Sequence, residues 1–206
     1  MRFSPKLIFL TATLWPTPLV FASPQSATAA KSSDAARARQ LVGAQSEQVV
    51  RALQNNETRV VARFVQAQRG LKISPYIFVA STARRWLPAQ IARLAKDGRK
   101  YFWGRADGSG DPIQLGWNHF RRRFLVPVDF SRAAQIGFNR FPTRGNTHNN
   151  LRGAFPAETF PGVIFVEYYR PASSKSRSDW YSLWLVWQSL GNRWFLTGLA
   201  ADGWTT

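Results

Sequence analysis

The chain has 206 residues, enough for one ordinary domain and a leader. Hydrophobic residues make up 45% and charged residues 19%, a balance that can bury a core and excludes a chain disordered throughout. Lys and Arg number 28 against 11 acids, a net charge of +17, and the absence of Cys excludes disulfides, thiolate metal sites, cysteine nucleophiles and a lipid-bearing N-terminal Cys.

Residues 1–30 predict an export signal. Arg2 and Lys6 precede a mostly apolar stretch from Leu7 to Ala22, and small residues at Val20-Phe21-Ala22 and Ala27-Thr28-Ala29 suit cleavage near 22/23 or near 29/30. The stretch is shorter than the roughly 20 residues a membrane span needs, and Pro16 and Pro18 interrupt it. A periplasmic or extracellular domain over 31–206 follows from that expectation. Ser23 to Ser33 is small and polar and is read as processing site and linker, so the first helix is expected from Ser33 or Asp34 to Asn55-Asn56. Leu41, Val42, Val49, Val50 and Leu53 form its apolar stripe.

A second short helix is expected around Val60, Val61, Phe64 and Val65, stopping at Gly70. Pro88 opens a third, carrying Ile91 and Leu94 and ending at Gly98. From Lys100 the texture turns β: Tyr101-Phe102-Trp103, a turn over Asp107 to Asp111, then Ile113-Gln114-Leu115. A brief helix over Trp117–Phe124 and an extended stretch over Ile136 to Asn139 follow. Three strands close the chain at Val163–Tyr169, Trp180–Gln188 and Arg193–Leu199, the last two joined by a hairpin loop at Ser189 to Asn192. These strands are apolar on both faces, so both must be covered. Helices cover one. For the other, with Trp184, Val186 and Phe195, a homodimer is the simplest closed solution.

Helices first, then a sheet ending in long hairpins, is also the element order of an α+β cone, and local motifs sharpen the likeness. Arg69 to Tyr76, Phe102-Trp103-Gly104, Asp107 to Gly110, Phe138-Asn139-Arg140, Gly145-Asn146-Thr147 with Asn149-Asn150, Phe165 to Tyr169, Asp179-Trp180, Ser182 to Val186 and Asp202 to Thr205 occur in order. Over roughly residues 45–205 the chain resembles exported bacterial NTF2-like (nuclear transport factor 2-like, SnoaL-like) proteins, many of them lipoproteins. The resemblance implies an α+β NTF2-like cone, with N-terminal helices packed on a strongly curved, mainly antiparallel sheet. It implies no established activity. The chain departs from the pattern at Ala201, where the closing motif offers His, and in lacking a Cys to carry lipid.

The chemistry-bearing groups are sparse. His119 and His148 are isolated and do not show metal-ligand spacing, so no cofactor is expected. Asp107-x-Ser109-x-Asp111 imitates the start of a calcium loop, but Pro112 stands where that loop needs Gly, and a Gly-rich turn explains every residue. Glu167 lies inside an apolar strand. Pointing inward it is a candidate general base, with Asp202 as the second candidate; the competing readings are a structural ion pair with an arginine or an edge position facing water. The chain is expected to be an interaction module binding a small molecule in the cone, its lining drawn from Tyr76, Trp103, Asn139, Asn149, Glu167, Tyr169, Trp184 and Asp202. The alternative is an envelope-associated hydrolase or isomerase using Glu167 as base. The arginines, scattered from Arg37 to Arg123, fit an anionic envelope polymer or lipid head groups, or only solvent; export argues against nucleic acid.

Overall fold

The computed structural model describes residues 24–80, 83–132, 135–142, 150–155, 162–173 and 179–203, with side chains described from Asp34 onward. Helix α1 covers Pro24–Gln54. It therefore begins well before Asp34, and the stretch expected to be a linker is its first part. Ala38, Val42, Ser46, Val49, Val50 and Leu53 recur at three- and four-residue spacing and are all buried, which is the stripe that docks the helix. Ser46 sits in that stripe because its Oγ donates to Val42 O at 2.7 Å.

The helix stops at Asn56, whose φ of 62° breaks the repeat, and three polar groups then take over its C-terminal end. Trp117 Nε1 donates to Asn56 Oδ1 at 2.8 Å, and Asn56 Nδ2 donates to Asn118 Oδ1 at 2.9 Å. Arg121 Nη1 donates to the carbonyls of Leu53 at 2.6 Å and Gln54 at 3.0 Å. Arg121 is only 8% exposed, so it does not belong to the basic surface that sequence reasoning placed it on. Burial lowers its pKa from the ordinary arginine value, with Arg122 adding to the effect. The negative end of the helix dipole faces the guanidinium. The placement depends on α4 (Trp117–Phe120) widening into a π-turn at Arg121–Leu125.

Helix α2 (Thr58–Arg63) follows, then strand β1 (Leu71–Ser74), a two-residue β2 (Arg85–Trp86), α3 (Pro88–Ile91) and a 3₁₀ turn at Leu94–Lys96. β3 (Lys100–Arg105) and β4 (Pro112–Gly116) form a separate hairpin. β5 (Gln135–Phe138), α5 (Leu151–Ala154), β6 (Ile164–Arg170), β7 (Tyr181–Leu190) and β8 (Arg193–Gly203) complete the order. The main sheet is six-stranded and open, in the order β2-β1-β8-β7-β6-β5. Every pairing is antiparallel except β1 with β8, which run parallel. The fold class is thus α+β with a mainly antiparallel sheet, as expected. β7 and β8 turn through Gly191-Asn192, and a register shift between Val186 and Trp187 bends the hairpin.

One face of the sheet carries Leu71, Ile73, Val166, Tyr168, Leu183, Leu185, Trp187 and Leu199 into the main core against α1 and α2. The opposite face carries Phe165, Trp184, Val186 and Ala200 into a second, smaller core with Ile77, Val79, Leu151 and Phe155. Trp184 is 1% exposed and Val186 is fully buried. Self-association is therefore not needed to cover them, because the segments around 77–79 and 151–155 do so. Asn150 clamps those two segments together: Val79 N donates to its Oδ1 at 2.8 Å, and its Nδ2 donates to Val79 O at 3.1 Å.

No helix of the described residues is long and apolar enough to cross a membrane. The expected export signal falls almost wholly on residues 1–23, outside the described residues.

Candidate functional site

The register of the sheet decides which predicted site residues can meet. Side chains alternate between faces, and paired residues share a face. Glu167 pairs with Trp184, and Tyr169 with Ser182, which pairs in turn with Asp202. Tyr169, Glu167, Ser182, Trp184 and Asp202 therefore share the face of the smaller core. Four of the eight predicted lining residues are brought together there, with Ser182 between the two carboxylates.

Glu167 lies on an interior strand and is fully buried, so it does not face water from an edge. Ser182 Oγ donates to its Oε1 at 2.6 Å. The bond orients the carboxyl group and lowers the cost of burying it. In this position the Glu167 side chain is not exposed to solvent. Trp184 is likewise core: Phe141 packs on its ring edge-on at 5.0 Å.

Asp202 marks the open end of this region. β1 ends at Ser74, opposite Ala200, so the last residues of β8 have no neighbour on that side among the described strands. A cleft of about 520 Å³ opens there, lined by Tyr76, Asp107, Ser109, Arg123, Tyr181 and Asp202 among others. A second cleft of about 490 Å³ adjoins it and is mainly apolar, with Phe78, Phe102, Gly104 and Arg105 in its lining. Pro75, Tyr76, Ala106 and Asp107 belong to both. Tyr76 is the divider. Its OH accepts the Asp107 N–H at 3.2 Å, and its ring packs edge-on against Phe124 at 5.8 Å between centroids. Gly104, at φ 135°, takes a backbone conformation that favours glycine where the hairpin passes Pro75.

The hairpin tip that forms one wall is tied internally. Ala106 N donates to Asp111 O at 2.7 Å, and Ser109 Oγ donates to Asp111 Oδ2 at 2.8 Å. Its oxygens are engaged in turn chemistry, in keeping with the reading of this stretch as a turn. Among the described residues no three His, Cys, Asp or Glu side chains cluster as metal ligands.

Two further predicted residues sit elsewhere. Trp103 is 6% exposed and stacks between Trp86 at 5.0 Å and Phe120 at 3.9 Å, with Nε1 donating to Leu115 O at 2.8 Å. It is a structural ring of the main core rather than pocket lining. Asn139, at φ 50°, closes β5: Phe165 N donates to its Oδ1 at 2.9 Å, and its Nδ2 donates to Asp34 Oδ2 at 3.2 Å. That commits it to the backbone and to α1. Asn149, like His148, lies outside the described residues.

Sequence reasoning missed Phe78, Phe102, Arg123 and Tyr181 as lining. For Phe102 a signal was present: in a strand, Trp103 turned to the core puts Phe102 on the other face. Phe78 and Phe102 are 51% and 53% exposed, large apolar groups on the surface of one cleft. No family model matches this chain, no curated protein matches it, and no solved structure matches it.

Proposed function

We propose that this chain is an exported, NTF2-like binding module that takes a small amphipathic molecule in the two-lobed cleft around Tyr76. The order of helices followed by a sheet that closes with a long hairpin supports the NTF2-like reading, and the apolar stretch before Ala22 supports export. The observation that carries the functional reading is the junction of the clefts: exposed Phe78 and Phe102 on one side of Tyr76, with Asp107, Arg123 and Asp202 on the other. An apolar surface with a few convergent polar groups is the usual form of a ligand site. Of the two candidate bases for the alternative, a hydrolase or isomerase, Glu167 is buried and does not line the cleft, whereas Asp202 does.

The dye 1-anilinonaphthalene-8-sulfonate, aromatic at one end and anionic at the other, is a suitable probe. It should bind the native protein with enhanced fluorescence. Phe102→Ser and Arg123→Gln should each weaken that binding about tenfold, while Arg37→Gln on the exposed face of α1 should not. Equal loss in all three variants, or no binding by the folded wild type, would refute the assignment.

A further inference from the structure

The opposite end of β1 carries an arrangement that costs stability unless something occupies it. Lys72 and Arg85 are directly paired across the β1–β2 ladder. Side chains opposite each other in an antiparallel pair lie about 5 Å apart at Cβ, and like charges there repel. On the other side Lys72 pairs with Gly198, which contributes no side chain. The gap over Gly198 is filled by Phe155, close enough that a Cβ on the glycine would stand 2.5 Å from Phe155 Cζ. The Lys72 ammonium lies 5.6 Å from the centre of that same ring. The lysine is thus held, half-buried, on an aromatic floor with a second cation beside it.

β2 is the sheet edge, so among the described residues no strand lies beyond Arg85 to screen it. Arg84, next along the chain, stacks 4.2 Å over the Trp86 ring and so belongs to the other face of the sheet, leaving Lys72 and Arg85 as the paired cations here. The described acid in this stretch, Asp97, is engaged with Arg99 at 2.7 Å and with the Tyr101 hydroxyl at 2.6 Å. Burial lowers the Lys72 pKa from its usual value, and the charge of Arg85 lowers it further. An oxyanion bound between the two cations would offset the repulsion between them and accept hydrogen bonds from donors on each side.

We infer that Lys72 and Arg85, over the floor of Phe155 and Gly198, form a binding site for a phosphate group. A guanidinium fork and a point-charge ammonium are the two side chains best suited to that group. The phosphate could be carried by a free polyanion or by a lipid head group. This site is separate from the cleft around Tyr76 and does not depend on its role.

The test uses the protein in low salt with two phosphate sources: sodium tripolyphosphate, followed by calorimetry, and phosphatidylglycerol vesicles against phosphatidylcholine vesicles, followed by co-sedimentation. The wild type should bind at least one source, and tripolyphosphate should raise its Tm if the free polyanion is the source. Arg85→Gln should weaken binding at least tenfold and abolish any Tm rise. Without ligand, Arg85→Gln should melt at or above the wild-type temperature, because it removes the repulsion. That separates a lost site from a damaged fold. Arg63→Gln, an exposed arginine on α2, serves as the control for diffuse charge. Binding of tripolyphosphate alone assigns the site to free polyanions, and binding of phosphatidylglycerol vesicles alone assigns it to head groups. If Arg63→Gln loses as much affinity as Arg85→Gln, or if the wild type binds neither source, the inference fails.

Discussion

Replacing Arg121 by Met asks whether a buried cation can be the better partner for a helix end. Methionine keeps the unbranched stem and removes the guanidinium. The loss is two charge-assisted hydrogen bonds, to Leu53 O and Gln54 O, which leaves two carbonyls at the end of α1 without that donor. A hydrogen bond to a charged group contributes roughly 1.5–3 kcal/mol. Both bonds leave from one nitrogen, so they do not add in full. Against them stands the cost of burying the charge, visible in the lowered pKa, and Arg121 Nε has no hydrogen-bond partner among the described residues. The net loss should be about 2–4 kcal/mol, since breaking one side of a buried polar contact usually costs more than the pair contributes. At about 2–4 °C per kcal/mol for a domain of this size, Tm should fall by about 5–15 °C. Urea unfolding followed by tryptophan fluorescence gives the free energy directly, with an unchanged m-value showing that the same surface unfolds. A variant as stable as the wild type, or more so, would refute the reasoning. It would mean that desolvation outweighs the capping of α1, as happens when some buried ionic groups are exchanged for apolar ones.

Tyr168 is buried, and its hydroxyl has no hydrogen-bond partner among the described residues. Burial raises its pKa above the ordinary phenol value of about 10. Because the folded state holds this proton longer than the unfolded chain, stability should fall as pH rises above about 10; Tyr168→Phe should flatten that fall and cost nothing at pH 7, as measured by chemical denaturation across pH. Ser182→Ala removes a donor from the buried Glu167 and should lower stability by about 1–3 kcal/mol, read as a shift of the urea midpoint; an unmoved midpoint would deny the bond any weight. Gly198→Ala should cost about 1–3 kcal/mol by driving Phe155 off its seat, and calorimetric Tm would show it.

What the sequence made legible follows from periodicity. The stripe of α1 and the apolar runs of β6, β7 and β8 announce themselves, because each repeats at the spacing of its backbone. The four-residue β1 and two-residue β2 are too short to show a period, and they become strands only because β8 supplies an edge to pair with. The early start of α1 was hidden by a small, polar sequence that reads equally well as a linker. Among site residues, tertiary geometry decided each outcome. Trp103 and Phe102 are adjacent aromatics, and only the side on which the core lies tells which is buried. Glu167 was singled out for being a carboxylate among apolar residues, but whether it was sealed depended on Phe165, Trp184 and the segments packed over them. Arg121, in a run of three arginines, was indistinguishable from its neighbours until the π-turn aimed it at α1. The cover over Trp184 and Val186 was hidden for a similar reason. Residues 77–79 and 151–155 carry no long apolar pattern, yet Asn150 joins them into a cover.

The parallel pairing of β1 with β8 also sets an order of events when the chain folds. The β7–β8 hairpin closes through a two-residue turn and can form locally, whereas β1 must find a partner from the opposite end of the chain. Closing so large a loop costs entropy before any contact rewards it, and non-local pairing of this kind slows folding. On the ribosome, α1, β1 and the β3–β4 hairpin all emerge before β8, the strand that pairs with β1, has been made. Leu71 and Ile73 then wait without their β8 neighbours until β8 leaves the exit tunnel. A chain cut short before Gly198 would retain every helix of the described residues yet leave β1 as an exposed, apolar edge open to pairing with other copies.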